Sequence, residues 1–442
     1  MLLSRSRRLL LAPLGALLLV TATHLGASSG SYRSSRPDAA PKSHGVSIAL
    51  DGFMWSSEGI PAQVDAANAV RLQSLFRGAP GAEAGGIQDF RPLPSFLMAL
   101  PVPLLGDYWS GVLVNLLAFA LAAACALDLA RLLRRPPLVG VAFATLLVGT
   151  RGVAFSVGCP DAHALSLAWL PIGVWACERL RVFEREPAPL ATPVVTLLFG
   201  LAALTHLSDL TLVGYLWLRG LASRTPPERL VGITAGVAVI LLGWRLAGSA
   251  SGLPFSGFTD DWIGRGFKDM LRDAGARLSG LWQPPSPGKG GRANALLQGL
   301  RGLPPWGLIE TYWICVTSAF GVPLLLLSAA GLWVASRRER LLSAVWFLLP
   351  LLIALPILYN WTAPRLLLPA WLGLAWLAAL ALGAAERWCR TTLERWGSSP
   401  CLAAGVARAT FLAGLLGLLL LENADALGGD PSAPVALMWG GL

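Results

Sequence analysis

The sequence predicts an all-α protein that crosses a membrane many times. Hydrophobic residues make up 55% of its 442 residues and charged residues only 14%, and the mean hydropathy is +0.60. A chain of this length and composition is too apolar for one water-soluble core. Apolar windows recur along it, each close to the roughly 20 residues that a helix needs to span the hydrocarbon layer.

About eleven such windows can be placed, and polar segments separate them. They cover residues 9–25, 109–128, 137–153, 162–178, 190–206, 208–222, 230–248, 311–335, 341–358, 364–385 and 402–421. The first lies in segment 1–29, which we interpret as a retained membrane anchor, with a cleaved signal peptide as the alternative. Spans two to seven occupy 109–248 and spans eight to eleven occupy 311–421. Two long loops, 30–108 and 249–310, and a tail, 422–442, complete the predicted organisation.

The arginines predict the orientation of these spans. Arginine clusters such as 5–8, 131–135 and 179–185 recur at span ends on one face, whereas the short loops of the other face hold Arg151 and Arg365. The positive-inside rule therefore predicts that the N-terminus lies inside and that both long loops and the C-terminus lie outside. The formal charge of +10 follows from this asymmetry, so it is no argument for binding to nucleic acid.

Each long outer loop contains a stretch with the pattern of an amphipathic helix. In the first loop, the pattern begins at Asp65 and ends at Gly78, with apolar residues on one face. In the second, Asp260 and Asp261 precede apolar residues that are interleaved with arginine and lysine. Helices of this kind lie at the bilayer surface.

The six cysteines have no spacing typical of a zinc site or a disulfide framework, and no glycine-rich phosphate loop is present. A nucleotide-driven pump is therefore not expected. The residues assign no cofactor, and a divalent cation stays an open alternative.

Polar groups close to the predicted hydrocarbon layer fall mostly on the outer side. Charge in this position is expensive, so such residues point to a functional site. They are Asp65, Arg91, Arg151, Asp161, His163, His206, Asp209, Arg245, Arg365 and Glu422.

Up to about residue 385, short sequence motifs follow one another in the same order as in one group of membrane enzymes. An acid begins the first-loop helix, which closes with Leu75-Phe-Arg-Gly78, and later segments are Arg91-Pro-Leu-Pro-Ser95, Leu105-Gly-Asp-Tyr-Trp-Ser110, Asn115, Asp161, Gly200-Leu-Ala-Ala-Leu-Thr-His206 and Arg365. In this order the chain resembles the GT-C superfamily of membrane glycosyltransferases. The most similar branch contains protein O-mannosyltransferases and the aminoarabinose transferase of lipid A. Two positions depart from the pattern, since Ala66 stands where many relatives carry a second acid and Leu366 where they often have tyrosine.

The resemblance implies an inverting transfer at the outer face of the plasma (inner) membrane. The donor is a sugar linked to polyprenyl phosphate, and the acceptor is a lipid, a glycan or a protein. Asp65 is then expected to be the general base, because a carboxylate can take the proton of the acceptor hydroxyl. Asp161 positions the acceptor or donor, and Arg91, Arg151 and Arg365 are candidates to hold the lipid phosphate. His206 and Asp209 are further candidates for binding the substrate.

Structural roles are open alternatives for each of these residues. Asp65 and Asp161 are also suited to cap helices, as is the Asp260-Asp261 pair. Arg151 and Arg365 are also suited to reach lipid headgroups, and His206 and Asp209 to bond each other across the turn between spans. Asp51 is the alternative base in the first loop.

Two other classes of protein keep the same architecture. A non-catalytic partner in envelope polysaccharide assembly needs no Asp65. A transporter is expected to show internal repeats, and charges near the middle of the membrane, neither of which is evident in the sequence.

Overall fold

The fold is that of a computed structural model, which describes residues 9–23, 70, 92–150, 153, 157, 162–250, 320–337, 339–346 and 370–424. These residues form helices joined by short turns, and no strand occurs among them. The predicted all-α class is therefore confirmed.

The described helices follow the predicted windows closely. In chain order they are α1 (Leu9–Thr23), α2 (Pro92–Ala99), α3 (Val102–Leu132), α4 (Pro137–Gly149), α5 (Ala162–Arg179), α6 (Ala191–Thr205), a 3-10 turn (Leu207–Leu210), α7 (Thr211–Ala222), α8 (Pro227–Ala250), α9 (Val322–Val334), α10 (Trp371–Arg395) and α11 (Pro400–Glu422). Residues 339–346 are also helical. They lie at the start of the ninth window, most of which falls outside the described residues.

Several of these helices have the length and apolarity of membrane spans. Within the described residues, four qualify at 18 residues or more: Tyr108–Leu132, Pro227–Ala247, Trp371–Arg395 and Pro400–Glu422. Shorter apolar helices accompany them, including α1, α4, α6 and α9. Large apolar side chains such as Val239, Leu242 and Leu246 face outward from α8, as they do on a surface that lipid covers. The chain is an integral, polytopic membrane protein.

Three features of the helices differ from the predicted windows. Residues 92–99, placed in the first outer loop, form α2, and Met98 and Phe96 on it pack near Trp244 of α8. Gly106, with φ 75° and ψ 177°, breaks α3 and separates its first turn from the span. Helix α10 extends to Arg395, ten residues beyond the predicted window, because its last turns are polar yet still helical. Hydropathy identifies only the apolar part of a helix, so it does not predict such extensions.

The helices pack side by side around α10 and α4. Helix α10 contacts α4, α9 and α11, whereas α3 contacts α4 and α5, and α6 joins α5 to α8. Helices α9 and α10 cross closely, since a Cβ added at Gly331 would fall against the Leu377 carbonyl and within 3.0 Å of its Cα. Ser328, one turn earlier on α9, donates to the Leu374 carbonyl at 2.9 Å. Small residues at such crossings let helix backbones approach closely in a membrane.

Basic side chains converge at one end of the bundle, which we call the arginine-rich end. Arg135, after α3, pairs with Glu339, whose side chain is 5% exposed. Arg219 of α7 donates to Glu178 of α5 at 3.1 Å, and Arg229 donates to carbonyls of the loop 180–190. Arg179, at the end of α5, lies 3.8 Å from the carboxylate of Asp128 on α3. The predicted basic loops after α3, α5 and α7 therefore lie together.

The loops after α3, α5 and α7 begin in the same unusual way. Arg134, Arg181 and Arg224 have φ values of 59°, 55° and 56°, and they are the described non-glycine residues with positive φ. In each case the next residue donates its N–H to a carbonyl five residues back in the preceding helix, at 2.9–3.0 Å. This is the Schellman end of a helix, a position that ordinarily favours glycine. Arginine is tolerated there at a cost in backbone strain, and it places a cation beside the helix C-terminus.

Candidate functional site

The opposite end, which we call the arginine-poor end, contains the predicted site residues that the structure describes. It is formed by the last residues of α4 and α6, the first residues of α5, α7 and α9, and the C-terminus of α11. His206 and Asp209 lie here. Asp65, Arg91, Arg151, Asp161 and Arg365 lie outside the described residues, as do both predicted interfacial helices apart from residue 70. Their roles stay predictions.

His206 and Asp209 occupy the turn between α6 and α7. Helix α6 ends at Thr205, and His206 is extended, with φ −160° and ψ 136°. The His206 N–H still donates to the Ala202 carbonyl at 3.0 Å, and the Asp209 N–H donates to the His206 carbonyl at 3.0 Å. The two predicted residues are therefore joined through the main chain, and His206 directly precedes the short 3-10 turn that contains Asp209.

The carboxylate of Asp209 is buried, with 1% of the residue exposed. Its Oδ1 accepts a hydrogen bond from Ser166 Oγ at 2.7 Å. Its Oδ2 is also buried and has no hydrogen-bond partner among the described residues. The N-terminus of α7, which begins two residues later, has no side-chain cap, so capping of α7 does not explain this acid.

Helix α5 fixes the turn at two points. Ser166 bonds Asp209 at one side of the turn, and Trp169 Nε1 donates to Thr205 Oγ1 at 2.8 Å at the other. Ser166 and Trp169 are three residues apart, so they share a face of α5. Asp161 directly precedes α5 in the sequence. The helix that holds the His206–Asp209 turn is thus the one that begins next to the predicted acid.

A second set of contacts holds the C-terminus of α11 against α9 and α4. Glu422 is 2% exposed, and its Oε1 accepts from the Leu324 N–H at 3.2 Å. It therefore lies at the N-terminus of α9, where a negative charge is stabilised by the free N–H groups and the helix dipole. Gly321 makes room for it, because a Cβ there would lie 2.5 Å from Oε1.

Asn423 makes the matching contact to α4. Its Nδ2 donates to the Gly149 carbonyl at 2.9 Å and to the Leu419 carbonyl at 2.8 Å. Gly149 is the last residue of α4, and Arg151 follows two residues later. The end of α11 therefore fixes the end of the helix that leads to a predicted phosphate-binding arginine.

Asn115, which carries part of the family resemblance, lies buried within α3. Its Nδ2 donates to the carbonyl of Val157 at 3.4 Å. Val157 belongs to the segment between α4 and α5, which also contains Arg151 and Asp161. Asn115 therefore ties α3 to this segment.

Sequence reasoning missed the residues that support the turn. Ser166 and Trp169 have the i, i+3 spacing of one helix face, but small polar and aromatic residues are common in spans, and only the contact with Asp209 distinguishes this pair. In the described residues, no three His, Cys, Asp or Glu side chains come together as metal ligands.

Comparison with known proteins adds a structural likeness. No family model matches the sequence, and the search of curated proteins gives no match. Among solved structures, the chain is similar to the crystal structure of ArnT from Cupriavidus metallidurans in the apo state. The TM-score is 0.44 and the sequence identity 14%, over 89% of this chain and 75% of that one.

Proposed function

We propose that the chain is an integral membrane glycosyltransferase of the GT-C type. In this proposal it transfers a sugar from a polyprenyl-phosphate-linked donor to an acceptor at the extracytoplasmic face of the plasma (inner) membrane. The acceptor is a lipid, a glycan or a protein. The arginine-poor end, where the described polar site lies, is the end that the positive-inside rule assigns to this face.

The observation that carries the proposal is the buried carboxylate of Asp209. Burying a carboxyl group with one oxygen unsatisfied is expensive, so an acid in this position is a candidate for function. Ser166 supplies the single hydrogen bond that Asp209 receives from the described side chains. A sugar, which offers several hydroxyl donors, is a ligand that suits the remaining oxygen.

The reaction follows from the roles proposed for the acids and arginines. The acceptor hydroxyl attacks the anomeric carbon of the donor, and the bond from that carbon to the phosphate oxygen breaks. Asp65 takes the hydroxyl proton, and polyprenyl phosphate leaves with the electron pair. Attack from the side opposite the leaving phosphate inverts the anomeric configuration.

The arginines and the second acid position the reacting groups. Arg91, Arg151 and Arg365 are proposed to hold the phosphate, because a guanidinium group pairs with phosphate oxygens through two hydrogen bonds and stabilises charge on the leaving group. Asp161 is proposed to orient the acceptor or the donor. His206 and Asp209 are proposed to contact the substrate from the turn after α6.

Mass spectrometry of lipid-linked sugars and envelope glycans tests the proposal in cells that contain or lack the protein. We expect one glycan to lose a sugar and its lipid-linked donor to accumulate when the protein is absent. Unchanged glycans and lipids would refute the proposed function. Solute uptake by vesicles that contain the purified protein would indicate a transporter instead.

The Asp65→Asn variant separates an enzyme from a non-catalytic partner. We expect it to reproduce the loss of the protein, whereas the matched Asp51→Asn variant, altered in the same loop, restores the glycan. If the protein is required but Asp65→Asn restores the glycan fully, the chain acts as an assembly partner.

A further inference from the structure

Arg408 is a charged residue on the outward-facing side of α11. It is exposed, and it makes no hydrogen bond or ion pair with the residues that the structure describes. The residues that follow it at four-residue steps, Leu412, Leu416 and Leu420, are exposed as well. Residues at this spacing are neighbours on a helix surface. Together the four form a stripe, which we call the α11 stripe, with the charge at one end and apolar surface along the rest.

The packing of α10 against α11 gives the level of Arg408 in the bundle. A Cβ at Gly414 would lie 3.5 Å from Leu382 Cδ2. The two helices run in opposite directions, because only residues 396–399 join them. Six residues from this contact toward the arginine-rich end, Arg408 of α11 is therefore about level with Trp388 of α10.

Helix α10 changes from apolar to charged at the same level. Its buried apolar residues extend to Gly383, whereas charged residues recur from Glu386 to Arg395. The side chain of Trp388 is exposed, and tryptophan is enriched where headgroups meet acyl chains. Arg408 therefore lies at the edge of the hydrocarbon layer, and the leucines of the α11 stripe extend from it into that layer.

The Arg408 side chain has room to reach a lipid headgroup. Side chains on a helix lean toward its N-terminus, which for α11 lies at the arginine-rich end. A Cβ at Gly405, one turn before Arg408, would meet nothing within 4 Å, so the surface there is open. A guanidinium group stays charged in a protein and pairs with phosphate oxygens through two hydrogen bonds.

We propose that the α11 stripe binds an anionic phospholipid, with the phosphate on Arg408 and an acyl chain along the three leucines. The order of charge and apolar surface along the stripe matches the order of phosphate and acyl chain in such a lipid. The positive-inside rule predicts that this lipid belongs to the inner leaflet.

A second copy of this chain fits the stripe less well. Two copies in one membrane would meet with their α11 helices parallel, which brings two Arg408 side chains together. Like charges repel strongly where little water screens them. The inference does not depend on the proposed function, because the α11 stripe contains none of the residues proposed for sugar transfer.

Native mass spectrometry of the full-length protein in detergent tests this assignment. The probes are phosphatidylglycerol, which is anionic, and phosphatidylcholine, which is zwitterionic, with identical acyl chains. We expect phosphatidylglycerol to bind more tightly, because the choline cation of the other lipid offsets the attraction of its phosphate to Arg408. Arg408→Gln should weaken the binding of phosphatidylglycerol about tenfold, as expected for hydrogen bonds between charged groups, and so remove most of the preference.

Two control variants separate this site from the total charge of the protein. Arg408→Lys keeps the charge and loses the paired hydrogen bonds, so it should retain part of the preference for phosphatidylglycerol. Arg224→Gln removes an exposed arginine from the same end of the bundle, in the loop after α7. It should leave the ratio of the two dissociation constants unchanged.

Three results would overturn the inference. If Arg224→Gln lowers the preference as much as Arg408→Gln does, the lipid responds to total charge and not to the α11 stripe. A wild-type dimer that becomes more stable in Arg408→Gln would assign the stripe to a second copy of the chain. Complete displacement of phosphatidylglycerol by an equimolar amount of polyprenyl phosphate would assign it to that lipid instead.

Discussion

The contact between Gly321 and Glu422 gives a stability prediction that can be worked out from the structure. Gly321 precedes α9 with φ 67° and ψ 149°, a backbone conformation that is nearly restricted to glycine. A Cβ there would lie 2.5 Å from Oε1 and 2.7 Å from Oε2 of Glu422. The Gly321→Ala substitution must therefore strain the backbone and also displace the carboxylate from the N-terminus of α9.

Two terms make up the expected loss of unfolding free energy. Placing alanine in this backbone region costs about 2 kcal/mol. Displacing Glu422 removes its hydrogen bond from the Leu324 N–H, a charged interaction that contributes about 2 kcal/mol. The sum is about 4 kcal/mol, a large part of the stability of most folded domains.

Gly106 provides a matched control for the backbone term. Its φ of 75° and ψ of 177° resemble those of Gly321, but a Cβ there would have no neighbour within 4 Å. Gly106→Ala should therefore cost about 2 kcal/mol. Once Glu422 is replaced by alanine, Gly321→Ala should cost only that amount too.

Equilibrium unfolding of the detergent-solubilised protein in an SDS titration, followed by circular dichroism, measures these differences. A double-mutant cycle should give a coupling of about 2 kcal/mol between Gly321→Ala and Glu422→Ala. Equal costs for Gly321→Ala and Gly106→Ala, with no coupling to Glu422, would refute the reasoning.

Three further predictions concern the packing and the arginine-rich end, and the same unfolding assay checks them. Gly331→Ala should destabilise by about 3 kcal/mol, because its Cβ would meet the backbone of α10, whereas Gly405→Ala, in open space on α11, should stabilise by about 0.5 kcal/mol; equal effects would contradict the close crossing. Arg224→Gly should stabilise by about 0.5 kcal/mol, since φ is 56° there, and a loss of stability would contradict the strain argument. Glu339→Gln should cost about 2 kcal/mol, because this acid both caps its helix through Ser336 and pairs with Arg135; additive effects of Glu339→Gln and Arg135→Gln would argue against the ion pair.

Much of the helical framework could be predicted from the sequence, because a long apolar window has few structural solutions in a membrane. Helices α5 and α6 coincide with their predicted windows to within a residue or two. The prediction was less accurate for helical residues that lie outside the long apolar windows. The last turns of α10 are helical but charged, and α2 lies in a segment that was predicted as loop.

The site could be predicted only in part, because sequence spacing does not say which helices meet. Asp209 stood out as an acid near hydrocarbon, but its partner Ser166 is 43 residues away along the chain. The same is true of Glu422, whose contact with Leu324 spans 98 residues. These contacts depend on tertiary packing, for which a single sequence holds no local signal.

The central claim is that a carboxylate-based site at the arginine-poor end transfers a sugar from a lipid phosphate. Release of polyprenyl phosphate from a sugar-labelled donor, in proteoliposomes that contain the purified protein and membrane extract as acceptor, tests it most directly. We expect the wild-type protein to release polyprenyl phosphate and Asp65→Asn to do so at least about 100-fold more slowly, as the loss of a general base predicts. Equal rates for the two proteins, or no release from any donor, would contradict the account.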